Sequence, residues 1–224
     1  MSDSLIAVSG AEAGVHELSI GDGDGSPDRI VRPNGWAKTV TDVLSPAHFV
    51  IALPPVIVWH ATFPSARGLA WGVFCSALAG GVPYGFVVRR VRQRRISDLH
   101  IRTRRQRYVP ILVALAAMGL CALVLALGGA PRALVALLVA LLAAIGVGGS
   151  VTTRWQISGH TCAAAGAVGI CAICFGAWIL AFTPLVLLIA AARLRLRDHT
   201  AAQLAAGIAL GAVVPTAIMY AMAR

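Results

Sequence analysis

Long apolar stretches alternate with short polar segments along most of the chain and predict a bundle of membrane-crossing helices. A transmembrane helix needs about 20 mainly apolar residues, and several stretches of this chain reach or approach that length. They fall near residues 43–63, 69–88, 109–127, 133–151 and 199–222, with two shorter ones between residues 158 and 192. The pattern predicts an all-α, polytopic membrane helix bundle of about six to seven spans. Within the first span, Pro54-Pro55 predicts a kink or an interruption.

The segment 158–192 predicts a helical hairpin. As one helix it would be about 50 Å long at about 1.5 Å per residue, which exceeds the thickness of a bilayer. A turn between Gly176 and Pro184 divides it into two short spans, and Thr183-Pro184 has the residue types of an N-cap followed by a first helical residue. The hairpin returns Arg193 to the membrane face at which His160 begins its span.

The first forty residues differ from the rest because they are polar, glycine-rich and acidic. Such composition does not bury enough apolar surface to fold. We therefore predict a disordered cytoplasmic N-terminal tail over residues 1–40 and a transmembrane domain over residues 41–224.

Charge is scarce and segregated. Only 12% of residues are charged, against about 25% in average soluble domains, and nine of the nineteen basic residues lie between residues 89 and 107. A short basic loop between two spans is a topology signal, so no nucleic-acid partner is expected. Positive loops face the cytoplasm, which predicts a multi-pass protein of the cell membrane with its N-terminus and basic loops inside.

Three segments on that face carry side chains suited to phosphate, because guanidinium groups offer paired donors and a permanent charge. The first holds His100, Arg104 and Arg107, although on its own it is better explained as an arginine cluster that sets topology. The second is Ser158-Gly159-His160 at the start of a predicted helix, where backbone N–H groups and the helix dipole favour an anion. There Gly159 permits close approach and the Ser158 hydroxyl adds a donor.

The third segment reads Arg193, five residues, His199, three residues, Gln203. His199 and Gln203 share one helix face at this spacing. Two interpretations of Gln203 are equally open. It accepts a hydrogen bond from the His199 imidazole, or it pairs with Thr200 in a capping box.

The order and spacing of Arg107, Ser158-Gly159-His160, Arg193 and His199 resemble the phosphate-binding motifs of the type-2 phosphatidic acid phosphatase superfamily, in a divergent prokaryotic form. The resemblance covers roughly half of the chain. Four positions depart from the usual motifs: His100 replaces a lysine, Ile157 a proline, Ala192 a serine and Gln203 an aspartate. Because a neutral amide does not stabilise a cationic histidine as an aspartate does, the departure at Gln203 implies a slower nucleophile or a more reactive substrate.

The resemblance implies an integral-membrane hydrolase, a phosphatase that acts on a lipid phosphate or diphosphate of polyprenyl or phosphatidyl type. By the same resemblance, His199 is the nucleophile that becomes a phosphohistidine, His160 is the general acid and Gln203 supports His199. The implied phosphate-binding residues are His100, Arg104, Arg107, Ser158, Gly159 and Arg193. No cofactor and no metal are implied, and the sequence does not indicate an oligomeric state.

Two alternatives stay open. The substitutions at His100 and Gln203 also suit a catalytically weak relative that binds a phosphorylated lipid or a partner protein. An anion transporter ranks below both, because the sequence has no inverted repeat of the kind that builds many transporters.

Overall fold

The computed structural model describes residues 35–95 and 108–223, and within these ranges the chain is helical with no β-strand. The α-helices of the described residues, in chain order, are α1 (Gly35–Val43), α2 (Pro46–Thr62), α3 (Ala66–Cys75), α4 (Val82–Arg92), α5 (Tyr108–Leu127), α6 (Arg132–Thr152), α7 (Gly159–Phe175), α8 (Thr183–Arg195) and α9 (Ala201–Ala223). A π-helical turn, Ser76–Gly81, joins α3 to α4, and a 3₁₀ turn, Ala177–Phe182, precedes α8. The predicted all-α architecture is confirmed for this part of the chain.

Six helical segments of the described residues are long and apolar enough to cross a membrane: Gly35–Thr62, Ala66–Arg92, Tyr108–Leu127, Arg132–Thr152, Ala177–Arg195 and Ala201–Met222. Helix α7, with 17 residues, is a shorter apolar helix of the same bundle. These segments indicate a multi-pass membrane protein, and their number agrees with the predicted six to seven spans.

Successive long helices run in opposite directions. The Ser76 hydroxyl, just after α3, donates to the Ile51 carbonyl near the start of α2 at 2.6 Å. A Cβ on Gly68, near the start of α3, would overlap Thr62 at the end of α2. Helices α2 and α3 are therefore antiparallel. At the C-terminal ends of α2 and α7, the ring centroids of His60 and Phe175 lie 4.4 Å apart. We call this the far end of the bundle. The opposite end, where α6 and α8 finish and α7 and α9 begin, is the motif end.

Apolar side chains from α2, α5, α6, α7 and α9 fill the larger core. A smaller cluster joins α7 and α8 through Ala164, Ala165, Val186 and Ile189, and α1 contributes Val40 to its edge. Through these contacts helix α1 includes residues 35–40, which belong to the predicted tail. Helix α1 starts at Gly35 because its apolar face packs on the hairpin. Residues 1–34 of the predicted tail lie outside the described residues.

Two local predictions have different outcomes. Helix α2 continues through Pro54 and Pro55, so the predicted interruption is wrong, and the alternative of a kink stays a prediction. The hairpin turn is confirmed: α7 ends before Gly176, whose φ of +104° suits glycine, and Pro184 lies in the first turn of α8. The cap residue is Phe182 and not Thr183, so that boundary moves by one position.

Candidate functional site

Helices α7 and α9 form the most extensively packed helix pair in the described chain, and they run parallel. A Cβ on Gly211 would overlap the backbone of Cys162, and a Cβ on Gly207 would overlap Ser158 and Thr161. Further along both helices, a Cβ on Gly166 would lie 3.2 Å from the ring of Pro215. Small residues let helix backbones approach closely, so the glycines bring the beginnings of α7 and α9 together.

Two hydrogen bonds fasten these beginnings to each other. The backbone N–H of Ser158 donates to the carbonyl of Gln203 at 3.2 Å. The Thr161 hydroxyl lies 3.2 Å from the carbonyl of Leu204 and donates to it. The second and third motif segments, which are far apart in sequence, are therefore joined at the motif end.

The end of α8 brings Arg193 to the same end of the bundle. Leu194 accepts from the N–H of Arg197 at 3.0 Å and Arg193 accepts from the N–H of Asp198 at 3.3 Å, which is the bonding pattern of a Schellman motif. Arg197 takes the left-handed conformation, with φ +55°, at the position where glycine is usual. The turn folds Asp198 back onto Arg193, and Nη1 of Arg193 lies 3.0 Å from Oδ2 of Asp198.

Both predicted catalytic imidazoles are buried. His160, the second residue of α7, is 6% exposed, and His199, in the loop before α9, is 8% exposed. Arg193 is 4% exposed. Titratable side chains are seldom buried because desolvation penalises their charged forms. Three of them at one end of a bundle therefore mark this end as the candidate site.

Ser158 and Gly159 differ in what surrounds them. Ser158 is fully buried and caps α7, since its Oγ accepts from the N–H of Thr161 at 3.5 Å. Gly159 is exposed, and a Cβ added there would meet no atom of the described residues within 4 Å. Ser158 thus has a structural role as N-cap, while its contact with phosphate stays a prediction. The space over Gly159 suits the predicted close approach of an anion.

Gln203 forms a capping box with Thr200, which was one of the two interpretations of this residue. Its Oε1 accepts from the N–H of Thr200 at 2.9 Å, and its own N–H donates to the Thr200 hydroxyl at 3.4 Å. These reciprocal bonds fix the start of α9. The geometry therefore assigns Gln203 to the helix cap, and its support of His199 stays a prediction.

Three predicted phosphate ligands, His100, Arg104 and Arg107, lie outside the described residues. The preceding residues continue the basic character of this end. Helix α4 finishes in a second Schellman motif, with Arg94 in the left-handed conformation at φ +55°. The described part of the basic loop thus begins at the motif end.

Sequence reasoning missed Asp198. A signal was available, because seven of the nine acidic residues lie in the first 42 positions and only Asp98 and Asp198 follow. An isolated acidic residue directly before a candidate nucleophile, in a domain with few acids, indicates that its carboxylate pairs with a nearby basic side chain. Thr161, whose hydroxyl joins α7 to α9, carried no comparable signal.

In comparisons with known proteins, no family model, no curated protein and no solved structure matches this chain.

Proposed function

We propose that this protein is an integral-membrane phosphatase that hydrolyses a lipid phosphate or diphosphate. One observation carries the proposal: His160 of α7, Arg193 of α8 and His199 of the loop before α9 are all buried at the motif end. There the hydrogen bond from Ser158 to Gln203 fastens the start of α7 to the start of α9. Membrane-helix packing alone does not call for buried imidazoles and a guanidinium, because polar groups inside a bilayer are costly.

The direction of the helices supports an anionic ligand. Each helix N-terminus carries the positive end of a macrodipole and N–H groups without intrahelical acceptors. Helices α7 and α9 are parallel and in contact, so their positive ends lie side by side at the end of the bundle that also holds Arg193. Neighbouring parallel dipoles repel, and a bound phosphoryl group relieves that repulsion.

In the proposed reaction, a ring nitrogen of His199 attacks phosphorus and the bond from phosphorus to the leaving oxygen breaks. His160 gives its proton to that oxygen, which is the work of a general acid. Water then attacks the phosphohistidine, releasing inorganic phosphate and restoring His199. Arg193 and the N–H groups around Gly159 stabilise the equatorial oxygens, as preorganised donors do in other transfer reactions.

The position of the site suits a substrate that is half lipid. The motif end is where helices finish, so a phosphate headgroup reaches water there while an acyl or prenyl chain stays among the spans. Arginines are dense at this end, from Arg89 to Arg95 and from Arg193 to Arg197, whereas the described far end has Arg67 and Arg132. By the positive-inside rule, we assign the motif end to the cytoplasm and the protein to the cell membrane.

The test is a phosphate-release screen of purified protein against prenyl phosphates, prenyl diphosphates and phosphatidyl lipids, with and without chelator. We expect turnover that His199→Ala abolishes and that chelator does not reduce. The matched control is His60→Ala, an exposed histidine at the far end, which should keep wild-type turnover. Wild-type rates from His199→Ala would remove the nucleophile assignment.

A second function is a lipid-phosphate binding protein, or one that binds a partner, with little or no turnover. Two observations favour it: Gln203 is engaged in a helix cap, and Arg193 already has a carboxylate partner. Binding of phosphorylated lipid by wild-type protein, with no release across the whole panel, would favour this function over hydrolysis.

A further inference from the structure

Asp198 lies between two of the predicted site residues and is bound to one of them. Its carboxylate and the Arg193 guanidinium form an ion pair in which the two side chains are 10% and 5% exposed. Burying two charges is expensive, and well-packed apolar residues often do as well for stability. Stability alone therefore does not account for this ion pair, and its position next to His199 suggests that it acts at the candidate site.

The pairing depends on a strained turn. The main chain of Asp198 binds Arg193 as its side chain does, because its N–H donates to the Arg193 carbonyl at 3.3 Å. This double attachment requires the left-handed conformation of Arg197, which costs an L-residue free energy that glycine would not lose. Strained backbone persists where the surrounding structure holds it, and such positions cluster at functional sites.

Building on the proposed function, we propose that Asp198 is a positioning residue that orients the Arg193 guanidinium toward the phosphoryl group. A guanidinium is a rigid planar fork with five N–H donors. The ion pair holds Nη1 beside Asp198 and thereby restricts where the rest of the fork can point. Asp198 thus acts through Arg193 and does not touch the substrate. Its negative charge also weakens the hold of Arg193 on free phosphate, which favours release of the product.

The experiment compares wild-type protein with Asp198→Ala, Asp198→Asn, Arg193→Ala and the double variant Arg193→Ala/Asp198→Ala. It measures kcat and KM on the best substrate of the screen, inhibition by inorganic phosphate, and the melting temperature in detergent. Asp42→Asn is the matched control, because Asp42 belongs to an exposed ion pair with Lys38 in α1.

Asp198→Ala should lower kcat/KM by roughly tenfold to a hundredfold, as misplaced catalytic groups do. Asp198→Asn keeps a polar side chain of the same size beside Nη1, so it should retain kcat within about threefold. Inorganic phosphate should inhibit this variant more strongly, because the neutral amide no longer opposes the anion. In the Arg193→Ala background, Asp198→Ala should cause no further loss of kcat/KM and should raise the melting temperature, since the buried carboxylate no longer lacks its partner.

The outcomes separate this inference from the function it builds on. The positioning role would be overturned if Asp198→Ala turned over substrate at the wild-type rate. It would also be overturned if the losses of kcat/KM from Arg193→Ala and Asp198→Ala added up in the double variant. Either result would leave the proposed phosphatase activity intact. If kcat fell in Asp198→Ala and Asp198→Asn only in proportion to the fraction of protein that is folded, Asp198 would have a structural role. That result would also overturn the positioning role. Absence of both turnover and inorganic-phosphate binding in wild-type protein would overturn the proposed function and the inference together.

Discussion

Two helix pairs in this bundle, α2 with α3 and α7 with α9, both pack closely through glycines, but they bury different side chains. In the antiparallel pair of α2 and α3, a Cβ on Gly72 would lie 2.7 Å from the Cα of Pro55, and the Ser76 hydroxyl donates to Ile51. In the parallel pair of α7 and α9, Gly211 packs on the backbone of Cys162.

The first pair buries a hydroxyl that is satisfied by a neighbouring carbonyl, and its opposed dipoles cancel. The second pair aligns two positive helix ends at the end of the bundle that holds His160, His199 and Arg193, all buried. Glycine-mediated packing therefore does not itself require buried imidazole or guanidinium groups. Buried imidazole and guanidinium groups lie at the second pair, whereas the buried residues of α2 and α3 include neither kind of group in the described chain, and for this reason we propose the site at the α7–α9 pair.

The largest expected effect comes from filling the two glycine contacts. Gly72→Ala and Gly211→Ala each force a methyl group against backbone, which should lower the free energy of unfolding by about 1–3 kcal/mol. Only Gly211→Ala should also lower kcat of the folded fraction, because it separates the beginnings of α7 and α9. Thermal unfolding in detergent and phosphate release measure the two effects.

The control for both is Gly119→Ala, since a Cβ on Gly119 of α5 would meet no atom of the described residues within 4 Å. It should be neutral or stabilise by up to about 1 kcal/mol, from helix propensity. Equal losses of kcat in Gly72→Ala and Gly211→Ala would erase the distinction between the two pairs.

A smaller effect is expected at Gly159, and on activity alone. No atom of the described chain fills the space over this residue, so Gly159→Ala should leave the melting temperature within error of wild type. The added methyl group stands where we place the phosphoryl oxygens and should reduce kcat/KM by about tenfold to a hundredfold. Unchanged kinetics would show that the ligand does not approach this turn.

The smallest effect concerns the two Schellman turns that finish α8 and α4. Arg197→Gly and Arg94→Gly each relieve a left-handed arginine, a gain of about 1–2 kcal/mol that the entropy of glycine reduces by about 0.5–1 kcal/mol. Both should raise the melting temperature slightly and leave turnover unchanged. A loss of turnover in Arg197→Gly without loss of stability would give that exposed side chain a contact with substrate.

The spans and the hairpin were predictable because length and hydropathy are local properties of sequence. The stretch around Gly176 and Pro184 carries its own turn signals, and the structure confirms them. The start of α1 was not predictable, since Val40 has an apolar surface to pack on only where the α7–α8 hairpin supplies one.

The resemblance of the motifs pointed to His160, Arg193 and His199, and the structure buries all three at one end of the bundle. The contact between α7 and α9 was not predictable, because it depends on glycines whose partners are distant in sequence. The pair of Arg193 and Asp198 was hidden because its turn uses Arg197 in a conformation that sequence patterns assign to glycine.

The central claim is that one phosphoryl group is transferred to His199 at the motif end. The most direct measurement is mass spectrometry of protein quenched during turnover under alkaline conditions, which preserve phosphohistidine. We predict a phosphoryl group on the peptide that contains His199 and none in His199→Ala. Turnover that continues with no phosphoryl group on that peptide, or with one on a different residue, would contradict the account.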